Sequence, residues 1–367
     1  MPNTPIQKIL FGCPGTGKSY RISNNDDGGI AQKDLDIDNN SDNIIKTVFH
    51  PEYTYGDFMG KLVPITNEAG KVEYNFYGGH FLRALIKAYK NMIEAHYRLK
   101  TESYDNVLLV IDEINRGNSS AIFGTVFQLL DRETEDNPLK SLKGWSSYPI
   151  NLTEIEFNYF QKAIGIKEDT TGKDGNKYSL GKFIQEKSFA EFQEEIKFFN
   201  LNIESMGIRI PPNLSIIATM NTSDNSIYFM DNAFKRRWDW EYVDWDDDFA
   251  KIIPSAKYGK DGDLKWDNEW KKLVKNLNTF IKQNANSIRG GKIEDMQIGY
   301  YFIKDDFVSA EKIRNKLMFF IWDSIFNRDK TPLQKLLKVD KKDLVTFGDF
   351  IKQHNEFVIN LLQGKFE

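Results

Sequence analysis

A single cysteine, Cys13, stands among 367 residues. That excludes an internal disulfide framework and agrees with a reducing interior. No window approaches the unbroken apolar run of about 18 residues that a membrane helix needs. The first ten residues, MPNTPIQKIL, lack the charged and apolar segments of a secretory leader. The expected address is the cytoplasm, with no membrane partner. Histidine is scarce, and His50, His80, His96 and His354 show no metal-ligand spacing. An excess of positive charge is also missing, since 49 Lys and Arg against 53 Asp and Glu leave a net charge of -4. A monomer that grips nucleic-acid phosphates alone is expected to be basic. A ring is a different case, because a few basic residues per subunit can line a shared pore. There is no internal repeat, heptad run or low-complexity tract.

What is present reads as an ordinary globular chain, 40% hydrophobic and 28% charged, long enough for two or three domains. A short apolar run, Ile9 to Phe11, leads into a glycine-rich stretch, the order of a strand, a loop and a helix. Asn24 to Asn43 is polar and acidic and reads as an exposed loop, followed by a strand at Ile44 to Phe49. From Phe81 to Leu99 the apolar residues recur at helical spacing. Val107 to Ile111 is a continuous aliphatic run, as in a parallel strand buried on both faces. A helix is expected over Ser119 to Leu130, and a second buried strand over Leu214 to Thr219. Strands alternating with helices, with polar residues at the strand ends, predict an α/β fold built on a doubly wound parallel sheet. The expected division is a nucleotide-binding core over 1–243, with an insertion at about 134–206, and a mainly helical C-terminal lid over 244–367.

Gly12-Cys13-Pro14-Gly15-Thr16-Gly17-Lys18-Ser19 matches G-x-x-x-x-G-K-[ST]. Glycines let backbone N–H groups approach phosphate oxygens closely, Lys18 brings a point charge to the β/γ-phosphates, and the Ser19 hydroxyl suits Mg²⁺. The helix that follows turns its positive end to the same anion. Asp112-Glu113 closes the Val107–Ile111 run. In that place Asp112 is a ligand for Mg²⁺ and Glu113 the group that orients or deprotonates the attacking water. Asn221 follows another apolar strand, where a neutral amide holds a γ-phosphate or the lytic water without adding negative charge. By itself Asn-Thr-Ser-Asp is also good turn chemistry. Lys235-Arg236-Arg237 reads either as a solvated helix end or as arginine fingers for a neighbouring subunit's nucleotide. Cys13 reads as a loop filler, since no histidine lies near it in sequence to make it a nucleophile.

Taken together these residues resemble the McrB family of AAA+ proteins, the motor subunits of modification-dependent restriction systems. The glycine-rich loop and the acidic pair belong to AAA+ proteins generally. More specific are Asp112-Glu113-Ile114-Asn115-Arg116-Gly117-Asn118, and Met220-Asn221-Thr222-Ser223-Asp224 followed by Ala233-Phe234-Lys235-Arg236-Arg237. The aromatic segment Phe49 to Phe58 and the stretch Ile298-Gly299-Tyr300-Tyr301-Phe302 are similar to further family segments. The resemblance implies a homo-oligomeric ring, often a hexamer, that hydrolyses GTP or ATP with Mg²⁺. It implies a McrC-like nuclease partner, DNA engaged through the assembled complex, and no nuclease site in this chain. On the same resemblance Asn221 and Asp224 belong to the signature element at the nucleotide, Arg236 and Arg237 act in trans, and Asn115 is where the partner influences the acidic pair. Three departures stand out. The loop begins at residue 12, whereas family subunits commonly carry an N-terminal DNA-recognition domain, so recognition of a modified base is not expected of this chain. The insertion is longer than the family leads one to expect. The family's lid histidine is absent at Tyr300–Tyr301, and the lid's sensor arginine has no clear counterpart, Arg289 being one candidate. Other readings are an NTP-switched scaffold that recruits an effector nuclease and a MoxR-like protein remodeller.

Overall fold

The structure is a computed structural model. It describes residues 4–24, 28–38, 40–99, 103–134, 142–170, 176–222, 228–246, 269–288, 293–305, 308–364 and 366.

Five strands form the main sheet: β1 (Gln7–Gly12), β2 (Ile44–Val48), β3 (Val107–Asp112), β4 (Leu214–Asn221) and β5 (Asp239–Tyr242). Their order across the sheet is β5-β1-β4-β3-β2. β3 runs parallel to both its neighbours, with Val107 opposite Leu214 and Ile111 opposite Ala218 on one side. On the other side Ile44 lies opposite Leu108 and Val48 opposite Asp112. The aliphatic run from Val107 to Ile111 is buried throughout, and the strand turns polar only at Asp112. This is the pattern that a parallel strand covered on both faces requires. The result is a mixed α/β fold.

The helix His80–Glu94 buries Phe81, Leu82, Leu85, Ile86, Tyr89, Met92 and Ile93, the 3.6-residue stripe expected of a helix lying on a sheet. Its end, Ala95–Leu99, loosens into a π-helical turn, where His96 stacks on Phe198 at 4.6 Å. The helix expected over Ser119 to Leu130 is two pieces, α-helical to Phe123 and 3₁₀ from Gly124 to Leu130. Gly124 sits at φ 48°, and a Cβ there would lie 2.9 Å from the Tyr55 ring. Close packing of that ring therefore selects glycine and the break with it. An antiparallel hairpin, Gly60–Thr66 with Val72–Gly78, lies between β2 and the long helix.

The described residues between 142 and 206 carry secondary structure of their own. They hold the helices Glu154–Ile164 and Phe189–Glu195 around an antiparallel three-stranded sheet, Ile166–Asp169, Lys177–Leu180 and Ile184–Ser188. Both helices begin with capping boxes, Thr153 with Glu156 and Ser188 with Glu191, which satisfy donors at the helix start. Phe157, Phe160, Phe192 and Phe199 of this segment are buried in the same apolar cluster as the sheet residues Leu109, Ile111 and Ile216. Arg132 closes the join, its guanidinium donating to the carbonyls of Gly144, Ile210, Pro211 and Leu214.

The chain divides into two compact units. The first is 1–9, 22–220 and 226–240, and carries the apolar cluster just described. The second is 10–21, 221–225 and 241–367. Its described part is mainly helical beyond the sheet strands, with Lys271–Gln283, Thr331–Leu337, Phe347–Lys352 and His354–Gln363 as the longer helices. Trp270, Leu277, Phe280, Phe326, Phe350 and Phe357 form its core. Among the described residues no helix is long and apolar enough to cross a membrane.

Candidate functional site

In the second unit β1 ends at Gly12 and the chain turns through the glycine-rich loop into the short helix Lys18–Ile22. Gly15 lies at φ 80°, and a Cβ on it would fall 2.4 Å from the backbone nitrogen of Phe302. A Cβ on Gly12 would fall 2.4 Å from the carbonyl oxygen of Val243. Both positions therefore exclude side chains sterically, Gly15 on conformation as well. Lys18 folds into the loop, donating from Nζ to the carbonyls of Gly12 at 3.1 Å and Cys13 at 2.9 Å, with Thr16 Oγ1 at 3.3 Å. Thr16 Oγ1 in turn donates to the carbonyl of Cys13. Ser19 is exposed, and Pro14 and Gly17 are half-buried. The Cys13 thiol is buried, and burial pushes its pKa up to about 12 against the lowering pull of Lys18. A thiol so placed is a packed loop residue and not a nucleophile.

The loop is clasped by the segment Gly299–Phe302. Gly299 N donates to the carbonyl of Pro14 and Tyr301 N to that of Gly15, both at 2.8 Å. The rings of Tyr20 and Tyr301 stack at 6.3 Å. Behind the clasp, Asn278 binds Ile298 through both its amide atoms, and Trp270 Nε1 donates to the Tyr300 carbonyl at 2.7 Å. The motif-like stretch Ile298 to Phe302 is thus a backbone clamp on the loop. The amide of Asn278, which the sequence alone did not single out, is what holds it.

In the first unit, Asp112 and Glu113 stand at the end of β3 and are organised by β4. Thr219 Oγ1 donates to Asp112 Oδ1 at 2.9 Å and accepts from Glu113 N at 3.2 Å. Glu113 is left-handed, at φ 55°, and Ile114 N returns to the Thr219 carbonyl at 3.0 Å. Beyond the pair, Asn118 caps the helix Ser119–Phe123, and Asn115 is buried with its carbonyl accepting from Tyr228 N. The aromatic segment after β2 is core, with Phe49 against Tyr53, Phe58 and Phe123.

The basic run separates into different environments. Arg237 forms an ion pair with Asp131, Nη2 to Oδ2 at 2.6 Å, and lies over the Phe127 ring at 3.9 Å. Its side chain is 8% exposed, so its guanidinium is engaged within its own chain. Arg236 is exposed. Asn221 ends β4 and is half-buried. Asp224 and Arg289 lie outside the described residues.

No protein-family model matches the chain. Among solved structures, a proposed ATPase from Cytophaga hutchinsonii aligns over 96% of this chain and 84% of its own, at 12% identity and a TM-score of 0.27, below the level of a shared fold. A protein of Bacillus subtilis (strain 168) named type II restriction enzyme BsuMI component YdiS is 26% identical over 373 residues, 96% of this chain and 86% of that protein. The chain is therefore similar, along nearly its whole length, to a component of a type II restriction system.

Proposed function

We propose that this chain is a Mg²⁺-dependent NTPase of the AAA+ type that works as the motor of a McrBC-like restriction or anti-phage system. One observation carries the reading. A glycine-rich loop directly follows a sheet strand, Gly12 and Gly15 stand where no side chain fits, and Lys18 is folded into it, the build of a phosphate cradle. The similarity to a restriction-system component supports the setting.

In this reading Gly12, Cys13, Pro14, Gly15, Thr16 and Gly17 surround the phosphates of GTP or ATP, and Lys18 moves from the loop carbonyls to the β/γ-phosphates. Ser19 and Asp112 would hold Mg²⁺; a hydroxyl and a carboxylate are the hard oxygen donors that this ion takes. The ion would supply charge neutralisation for the phosphates. Glu113 takes the proton of the attacking water, and Asn221 orients that water against the γ-phosphate. Arg236 reaches the nucleotide of the neighbouring subunit, whereas Arg237 props the basic turn. The C-terminal helices act as the lid, the ring is a homo-oligomer, most simply a hexamer, Asn115 is where a McrC-like nuclease partner acts on the acidic pair, and Asp224 belongs with Asn221 to the signature element at the nucleotide. DNA is engaged by the assembled complex.

Phosphate release from GTP and from ATP, each with Mg²⁺ and over a range of protein concentrations, tests this. Turnover rising steeply with concentration supports shared sites in a ring, and the faster substrate names the base. Nucleotide binding without turnover at any concentration leaves either an NTP-switched scaffold or a motor that awaits its partner. Absence of binding overturns the assignment.

A further inference from the structure

The clamp on the glycine-rich loop is densely hydrogen-bonded. Gly299 and Tyr301 donate to the loop, and Ile298 and Tyr300 are held by Asn278 and Trp270. Gly299 sits so close that a Cβ on it would meet the carbonyl oxygen of Gly15 at 2.3 Å and the nitrogen of Thr16 at 2.7 Å. Immediately before this clamp stands Gln297, 2% exposed. Its Nε2 is buried and has no hydrogen-bond partner among the described residues. A buried amide donor left unmade is costly, and each such group calls for an explanation. Two residues of chain, at most about 7 Å, separate it from the glycine that touches the loop.

We infer that Gln297 recognises the base of the nucleotide, donating from Nε2 to N7 of a purine; this rests on the nucleotide reading of the loop. A base hangs from its phosphates by one ribose, so a group beside the loop is within its range. Glutamine amides are suited to the N7 edge of purines. The clamp fixes the backbone of this residue relative to the phosphates. Asn278, which braces the same segment, has both its amide atoms committed to Ile298. Gln297 is a buried amide two residues from the glycine that touches the loop, and its donor has no partner among the described residues.

The test is titration calorimetry with Mg²⁺ on the full chain and on Gln297→Leu, with ATP, GTP and inorganic tripolyphosphate as ligands. Tripolyphosphate has no base and reads the loop alone. The variant should bind the preferred nucleotide about five- to tenfold more weakly, the worth of one neutral hydrogen bond, and tripolyphosphate unchanged. The 7-deaza analogue, with C–H in place of N7, should lose the same factor on the wild type and nothing further on the variant. Equal weakening of nucleotide and tripolyphosphate would make Gln297 a structural prop and overturn the inference. So would unchanged nucleotide binding, or a 7-deaza analogue that binds the wild type like its parent. If the wild type binds tripolyphosphate no less tightly than nucleotide, this inference alone fails. If it binds neither, the nucleotide reading fails and takes this inference with it.

Discussion

The hydroxyl of Thr219 joins two neighbouring strands at the acidic pair, donating to Asp112 and accepting from the backbone of Glu113. Thr219→Val keeps the shape and removes the hydrogen-bonding group. Two half-buried partners then each lose a bond, a cost of about 1 kcal/mol, and the Asp112 carboxylate loses one of the contacts that orient it. Turnover should fall at least about tenfold, since misplaced catalytic groups lose rate steeply, while nucleotide binding persists. Thr219→Ser should restore most of the rate. Phosphate release together with thermal denaturation checks this, and a Val variant with full activity sinks the positioning role.

The acidic pair itself makes a sharper demand. Glu113→Gln preserves the volume and the left-handed backbone turn at this position while removing the carboxylate proposed as the base. Binding should be retained and turnover should stop, leaving the assembled protein trapped with nucleotide. Normal turnover by the variant would remove Glu113 as the base.

Arg236 and Arg237 should behave oppositely. Arg237→Ala strands Asp131 and strips the Phe127 ring of its cation. That should cost on the order of 2 kcal/mol, the worth of a charged hydrogen bond, visible as a lower Tm. Arg236→Ala, at an exposed position, should leave stability within about 0.5 kcal/mol and lower turnover by about 10³-fold or more. Mixing Arg236→Ala subunits with Lys18→Ala subunits tests action in trans, because each lacks what the other supplies. Activity that never depends on which subunit carries the arginine would end the finger assignment.

Cys13 offers a chemical check of the loop. With its thiol pushed up to about 12 by burial, the thiolate is scarce at neutral pH and sterically shielded. The sign follows: as pH rises toward that value labelling should accelerate, and at pH 7–8 it should be at least about a hundredfold slower in folded than in guanidine-unfolded protein. Rapid modification of the folded chain by maleimide at pH 7 would show that the loop is open.

Much of the fold was legible because its signals are local. A continuous aliphatic run such as Val107 to Ile111 is buried wherever it goes, and the helical stripe after His80 repeats within a few turns. The glycines of the loop were equally visible, since their spacing is a backbone property of eight consecutive residues. The order of the strands was not legible, because parallel pairing joins segments far apart in the chain. Thr219 lies 107 positions from the Asp112 it holds, and no short window records that. Separation along the chain likewise hid the packing of Phe157, Phe160, Phe192 and Phe199 into the main core and the bracing of the clamp by Asn278. Arg236 and Arg237 are adjacent and chemically alike, so sequence treats them as one motif. Only the position of Asp131 and Phe127, a hundred residues away, makes one a structural cation and leaves the other exposed. Sequence by itself determined the local chemistry, the loop and the acidic strand end. Tertiary structure decided which atoms that chemistry is tied to, because hydrogen bonds and burial depend on neighbours that only folding brings together.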